Sequence, residues 1–327
     1  MGRRKSPVLA VAALLIAAAG GRGGTETLVA ASRLIAEGRY AEAEPVLLGE
    51  LETLRKPGQE NALLGTAYNE LGVVYRQQAR YREAERMFRR SLSVYAKLGL
   101  EQSLDAASVL ANLGLVYTDL RYYRKAEPLL RQALEIRRKA LGPAHPSTAV
   151  VLNNLGEVYR GLDKPAEAEQ GFQEALGLLE TAYGPNHATL FAPLNNLAVL
   201  CHSRGRTQEA ISFSERAVRI WEKAAGPEHP ELATALANLA GLYGAAGRRA
   251  DAAGLFLRAL AIAERGLGAE HPTTGHILRL YAAQLRTMKR SGEAKGAEKR
   301  AQAILARSER ENLQHHTVDV KVLLAKR

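Results

Sequence analysis

Four histidines, His145, His187, His229 and His271, recur at an interval of 42 residues, each in a Gly-x-x-His setting that is usually GPxHP. Imidazoles in series raise a metal reading, and the spacing argues against it. Equivalent positions in packed helical units stand at least roughly 8–10 Å apart, whereas nitrogens sharing one zinc each lie about 2.0–2.1 Å from it. The histidines are expected to be loop residues ahead of a helix, and no metal is assigned. His315 and His316 form a pair with no further ligands in register. The single cysteine, Cys201, would need a base to act as a nucleophile. His202 is its neighbour in sequence, but adjacent helical residues do not face each other, so Cys201 is expected to pack as a small hydrophobe. No Gly-rich phosphate loop, nucleophile elbow, paired-carboxylate site or His-Glu-x-x-His string is present. The chain reads as non-enzymatic, with no cofactor.

A second ladder carries a different chemistry. Asn112, Asn154, Asn196 and Asn238 open the strings NLGLVY, NLGEVY, NLAVLC and NLAGLY, again 42 residues apart, and one step back lands on Glu70 in ELGVVY. An asparagine amide offers both donors and an acceptor, which matches the C=O and N–H of a peptide group. Six residues further on stand Arg76, Thr118, Arg160, His202 and Gly244. This places scattered positive charge beside the amides, while Glu70 would repel an acidic ligand at the amino end.

The elements that must position these residues follow from the same period. Ala84, Ala126, Ala168, Ala210, Ala252 and Ala294 are six positions in register at the 42-residue interval, so the repeat is structural. Within one unit, Val151, Leu152, Leu155, Val158 and Tyr159 fall at helical spacing. Leu162 to Pro165 breaks the pattern, and Ala168, Phe172, Ala175, Leu176 and Leu179 line one face of a second helix. Gly142, Gly184, Gly226 and Gly268 supply helix stops. Pro146, Pro230 and Pro272 suit a first helical turn, where no amide hydrogen is needed.

This arrangement resembles the tetratricopeptide repeat, whose signature is a large residue, Leu-Gly-x-x-Tyr and Ala-x-x-x-Phe. It reads here as Tyr68, Leu71, Gly72, Tyr75, Ala84 and Phe88, then Leu110, Leu113, Gly114, Tyr117, Ala126 and Leu130, then Leu152, Leu155, Gly156, Tyr159, Ala168 and Phe172. A fourth unit departs, with Ala198, Cys201 and Ser214 in place of Gly, Tyr and Phe; a fifth keeps Leu236, Leu239, Tyr243, Ala252 and Phe256. A degraded last unit keeps Leu278, Ala282, Ala294 and Ala301, and a partial first one surrounds Gly38, Tyr40 and Ala43. The period and the LNNLA and LGPxHP strings are most similar to the kinesin light chain variety and its bacterial relatives. The resemblance implies an all-α, right-handed α-solenoid of six to seven antiparallel helix pairs. It also implies that Asn112, Asn154, Asn196 and Asn238 line a concave peptide-binding groove, with Glu70, Arg76, Arg160 and His202 beside them. The alternative, in which these asparagines bond neighbouring helices and hold the stack together, stays open.

The chain has 327 residues, is 46% hydrophobic and carries a formal charge of +11. One cysteine excludes an intramolecular disulfide framework and a paired-cysteine zinc site. A pI near 9.8 raises nucleic-acid binding, but the charge sits at the ends. Arg3, Arg4 and Lys5 supply three positive charges, and Arg286 to Arg327 holds 11 basic against 5 acidic residues. The segment Met1 to Gly24 has a basic start, 13 small or apolar residues from Pro7 to Ala19, and Ala17-Ala18-Ala19 as an Ala-x-Ala site, the layout of a secretory signal. The apolar run is short of the ~20 residues that span a bilayer. The expected organisation is a signal peptide at 1–19, a short linker at 20–24, repeats at 25–305 and a basic tail at 306–327. Within the tail, His316 to Val322 alternates in a strand-like way. The function so implied is a protein–protein scaffold, exported to the periplasm or secreted, with a protein or peptide partner, no nucleic acid and no lasting membrane insertion. The rival readings are an adaptor working through its tail or convex face, and an enzyme with an unrecognised site.

Overall fold

The computed structural model describes residues 26–55, 61–230 and 232–316, with side chains to Arg307. The signal segment 1–19, the linker 20–24 and the strand-like stretch beyond His316 lie outside the described residues, as do the side chains of His315 and His316. The described residues form fourteen α-helices and no strand. They are α1 (Glu26–Ala36), α2 (Tyr40–Leu54), α3 (Ala62–Gln77), α4 (Tyr81–Lys97), α5 (Leu104–Asp119), α6 (Tyr123–Leu141), α7 (Pro146–Gly161), α8 (Pro165–Tyr183), α9 (Phe191–Ser203), α10 (Thr207–Ala225), α11 (Leu232–Ala245), α12 (Arg249–Gly266), α13 (Pro272–Thr287) and α14 (Ser291–His316). Each odd helix packs on the even helix that follows it, making seven pairs in an all-α repeat solenoid. The chain divides into two compact units, one ending at Thr189 with α1–α8 and one beginning at Leu190 with α9–α14.

Small residues set how closely the two helices of a pair approach. A Cβ on Gly72 would stand 2.6 Å from the ring of Phe88, one on Gly156 would stand 2.5 Å from Phe172, and one on Gly114 would meet Leu130 at 2.8 Å. Real side chains never approach so closely, so the glycine admits the large partner 16 residues later. Where Ala198 replaces glycine, the partner shrinks to Ser214, and both are buried. The degraded ends keep the same logic: Ala43, Leu278, Ala282, Ala294 and Ala301 are all buried.

The turn inside each pair is a Schellman closure. The amides of Arg80, Tyr122, Lys164, Arg206, Arg248 and Arg290 each donate to a carbonyl five residues back, at 2.7–3.0 Å. In four units that carbonyl belongs to the signature tyrosine, Tyr75, Tyr117, Tyr159 or Tyr243. The residue at the bend has positive φ throughout, and it is glycine only at Gly38, Gly205 and Gly247; Ala79, Arg121, Asp163 and Lys289 adopt φ of 58–60°. The stops between pairs are more demanding. Gly142 sits at φ 87°, ψ 158° and Gly184 at φ 85°, ψ 167°, a region essentially confined to glycine.

Pro146 and Pro272 open α7 and α13, and the Pro230 carbonyl accepts from the Ala233 amide at 3.1 Å in the turn that leads into α11. The last helix continues to His316, into the stretch expected as the basic tail.

Candidate functional site

The histidine ladder has a structural use. His145 and His271 are the N-cap residues of α7 and α13, and their Nδ1 atoms accept from the amides of Ser147 and Thr273 at 3.2 Å. His187 accepts from the Thr189 amide at 3.4 Å. The first amides of a helix have no intrahelical acceptor, and here an imidazole supplies one as Asn61 and Ser103 do for α3 and α5. The sequence signal was available: each of these histidines stands two residues before Ser or Thr, the spacing of a cap. Cys201 is fully buried in α9.

The asparagines occupy one register of the first helices, with unequal access. Asn112 on α5 is half-buried and donates its amide to Oδ1 of Asn69 on α3 at 3.0 Å. In the second unit, Asn238 on α11 donates to Oδ1 of Asn195 on α9 at 3.4 Å. A side-chain amide has two N–H donors and a carbonyl, so each such bond orients the group while leaving an N–H and an oxygen uncommitted to that neighbour. Asn196 is half-buried, whereas Asn154 is only 8% exposed. Asn69 and Asn195 were missed by the sequence reading. Their signal was an Asn 43 residues before the ladder position, visible as the Asn-Asn doublet in unit four.

Glu70 corrects the expectation of a repelling surface charge. Its side chain is buried on α3, Ser32 on α1 donates to Oε1, and Oε2 has no hydrogen-bond partner among the described residues. Burial pushes its carboxyl up to about 7 against the opposing pull of the Ser32 bond. It is a core group under the first helix.

The positive charges are also compensated. Arg76 on α3 forms a two-pronged pair with Asp119 on α5, at 2.7 and 3.3 Å. Glu157 on α7 has its carboxyl pushed up by burial, while Arg160 draws it down. Asp119 and Arg76 act on Glu157 as well, so four charges from three successive first helices form one alternating cluster. Arg160 and His202 themselves are exposed on α7 and α9. The first unit therefore presents half-buried amides beside a balanced charge cluster; the second presents Asn196, Asn238 and His202. This chemistry suits hydrogen bonding to a backbone. It assembles no nucleophile with a base, and no group of three or more His, Cys, Asp or Glu gathers as metal ligands among the described residues.

The tetratricopeptide repeat family profile matches residues 25–97, 105–181, 156–223 and 189–265. No curated protein matches the chain. Among solved structures, the chain is similar to BtubC (BKLC) from P. vanneervenii, at 26% identity and a TM-score of 0.54 over 61% of this chain and 80% of that one. A putative kinesin light chain from Podosopora anserina, with nearly identical TPR-like repeats, is 25% identical at a TM-score of 0.52, over 62% of this chain and 95% of that one. The apo form of RapI shares the fold alone, with 14% identity and a TM-score of 0.65 over 87% of this chain and 98% of that one.

Proposed function

Since the chain belongs to the tetratricopeptide repeat family, whose fold generally serves as a protein–protein interaction scaffold, we propose that it holds an extended peptide or partner segment along the first helices of each unit, without catalysing a reaction. The observation that carries this reading is the oriented amide pair, Asn69–Asn112 in one unit and Asn195–Asn238 in the other. A fixed amide that keeps donor and acceptor capacity loses little side-chain entropy when it binds a peptide group. Panning a displayed random-peptide library against the purified chain tests it. Enriched peptides should lose affinity for the Asn112→Ala and Asn238→Ala variants while helix content is kept. Absence of enrichment, or unchanged affinity in both variants, would overturn the groove assignment and favour asparagines that only hold the stack.

We further propose that the chain is exported, on the strength of the basic start, apolar run and Ala-x-Ala site of residues 1–19. No described helix is long and apolar enough to cross a membrane. Residues 1–30 fused to a reporter active only outside the cytosol should give activity; a silent fusion sinks the localisation.

A further inference from the structure

The near-neutrality of the repeats conceals an uneven distribution among the second helices of the first unit. Helix α2 holds four acidic residues and no basic one, and α8 does the same. Between them, α4 holds five basic against two acidic residues, and α6 holds six against two. The helices lie side by side: Arg80, at the start of α4, reaches Glu44 on α2 at 2.8 Å, and Lys125 on α6 acts on the Glu85 carboxylate of α4. Lys164, just before α8, reaches Glu127 on α6 at 3.7 Å.

On α4 the basic residues occupy the face opposite its core contacts. Ala84, Met87, Phe88, Ser91, Val94 and Tyr95 are buried, while Arg82, Arg86, Arg89 and Arg90 are exposed. Arg89 is engaged by Glu85. Arg82, Arg86 and Arg90 form an i, i+4, i+8 row that no carboxylate pairs among the described residues; Arg90 lies over the Tyr68 ring at 5.8 Å. Arg124 and Lys139 extend the exposed charge onto α6. Like charges four residues apart weaken a helix. Elsewhere the same fold places a carboxylate in reach of such an arginine: at the register of Arg90, Arg258 on α12 reaches Glu222 on α10 at 2.6 Å. A row that departs from that practice, on a face turned away from the core, points to a partner.

We infer that the outward face of α4 and α6 docks an acidic segment of a partner protein. Successive arginines in the row are separated by about 6 Å of helix rise. Same-side carboxylates of an extended chain repeat at roughly 6.7 Å, and guanidinium groups take carboxylates in two-pronged fashion. Single-stranded nucleic acid needs aromatic platforms for its bases in addition to charge, and the exposed row of α4 carries none. This surface lies on the second helices and is independent of the asparagine register.

The test is binding of a fluorescent glutamate-rich peptide to the full chain at low ionic strength. We expect binding that weakens as salt rises. Arg82→Gln, Arg86→Gln and Arg90→Gln combined should lower affinity about tenfold, from three surface contacts of ordinary strength. The combination Arg249→Gln, Lys295→Gln and Lys299→Gln, equal in charge but on α12 and α14, should leave it unchanged. Circular dichroism checks folding, and Arg124→Glu with Lys139→Glu provides a second route through α6. Absence of binding, equal loss in both triple variants, or tighter binding of oligothymidylate or phosphatidylserine vesicles lost in the same variants would each overturn the inference.

Discussion

Gly156 and Phe172 share one space: a methyl group on the glycine would stand 2.5 Å from the phenyl ring. The two residues lie on opposite helices of one pair, α7 and α8. Gly156→Ala should therefore destabilise the chain by about 1–3 kcal/mol through overpacking. The pairing of Ala198 with Ser214 shows the compensated form. Adding Phe172→Ser to Gly156→Ala should cost less than the sum of the single changes, because the clash disappears with the ring. Urea denaturation of the four proteins measures this; strict additivity would show that the two sites do not share the space.

The bend residues separate two uses of positive φ. Arg121 stands at φ 59° between α5 and α6, where a side chain costs energy and glycine does not. Arg121→Gly should raise stability by up to about 1 kcal/mol, net of the extra freedom it gives the unfolded chain. Gly142→Ala should act in the opposite direction and cost more than about 1 kcal/mol, since its φ and ψ are nearly closed to other residues. Thermal melting of both variants should show the opposite signs.

Glu70 makes folding pH-dependent. Its carboxyl rises from an ordinary 4.5 to about 7 on burial, so the folded chain holds a proton that the unfolded chain releases. The associated stability is present below about pH 4.5 and is lost as pH rises towards 7. The change amounts to about 3 kcal/mol. Glu70→Gln mimics the protonated form and should remove this slope, leaving the variant more stable than the parent at pH 8. Denaturation at pH 5 and pH 8 checks it, and parallel pH dependence in parent and variant would count against burial of the charge.

The histidine caps predict a localised loss. His145→Ala removes the acceptor for the Ser147 amide and should cost about 1 kcal/mol, whereas His145→Asn should retain most of it. Hydrogen exchange at the first turn of α7 should accelerate in the alanine variant. Equal stability of the alanine and asparagine variants would mean that the imidazole does not cap.

The sequence by itself determined the helix pairs, their 42-residue register and the turns that separate helices. These are local or periodic relations, set by positions within one repeat, and hydrophobic spacing records them directly. It also identified the asparagine register. Tertiary structure alone decided what each registered side chain meets. Glu70 became a buried carboxyl because Ser32 of the preceding pair lies over it. Arg76 became half of a pair because Asp119 stands 43 residues later, and Asn112 was fixed by Asn69. Those partners come from a neighbouring unit, and charge or amide types vary from unit to unit while the apolar pattern persists. Packing requires only shape and size to repeat. A polar contact depends on the one residue that a neighbouring helix happens to present, and that becomes visible only when the helices are stacked.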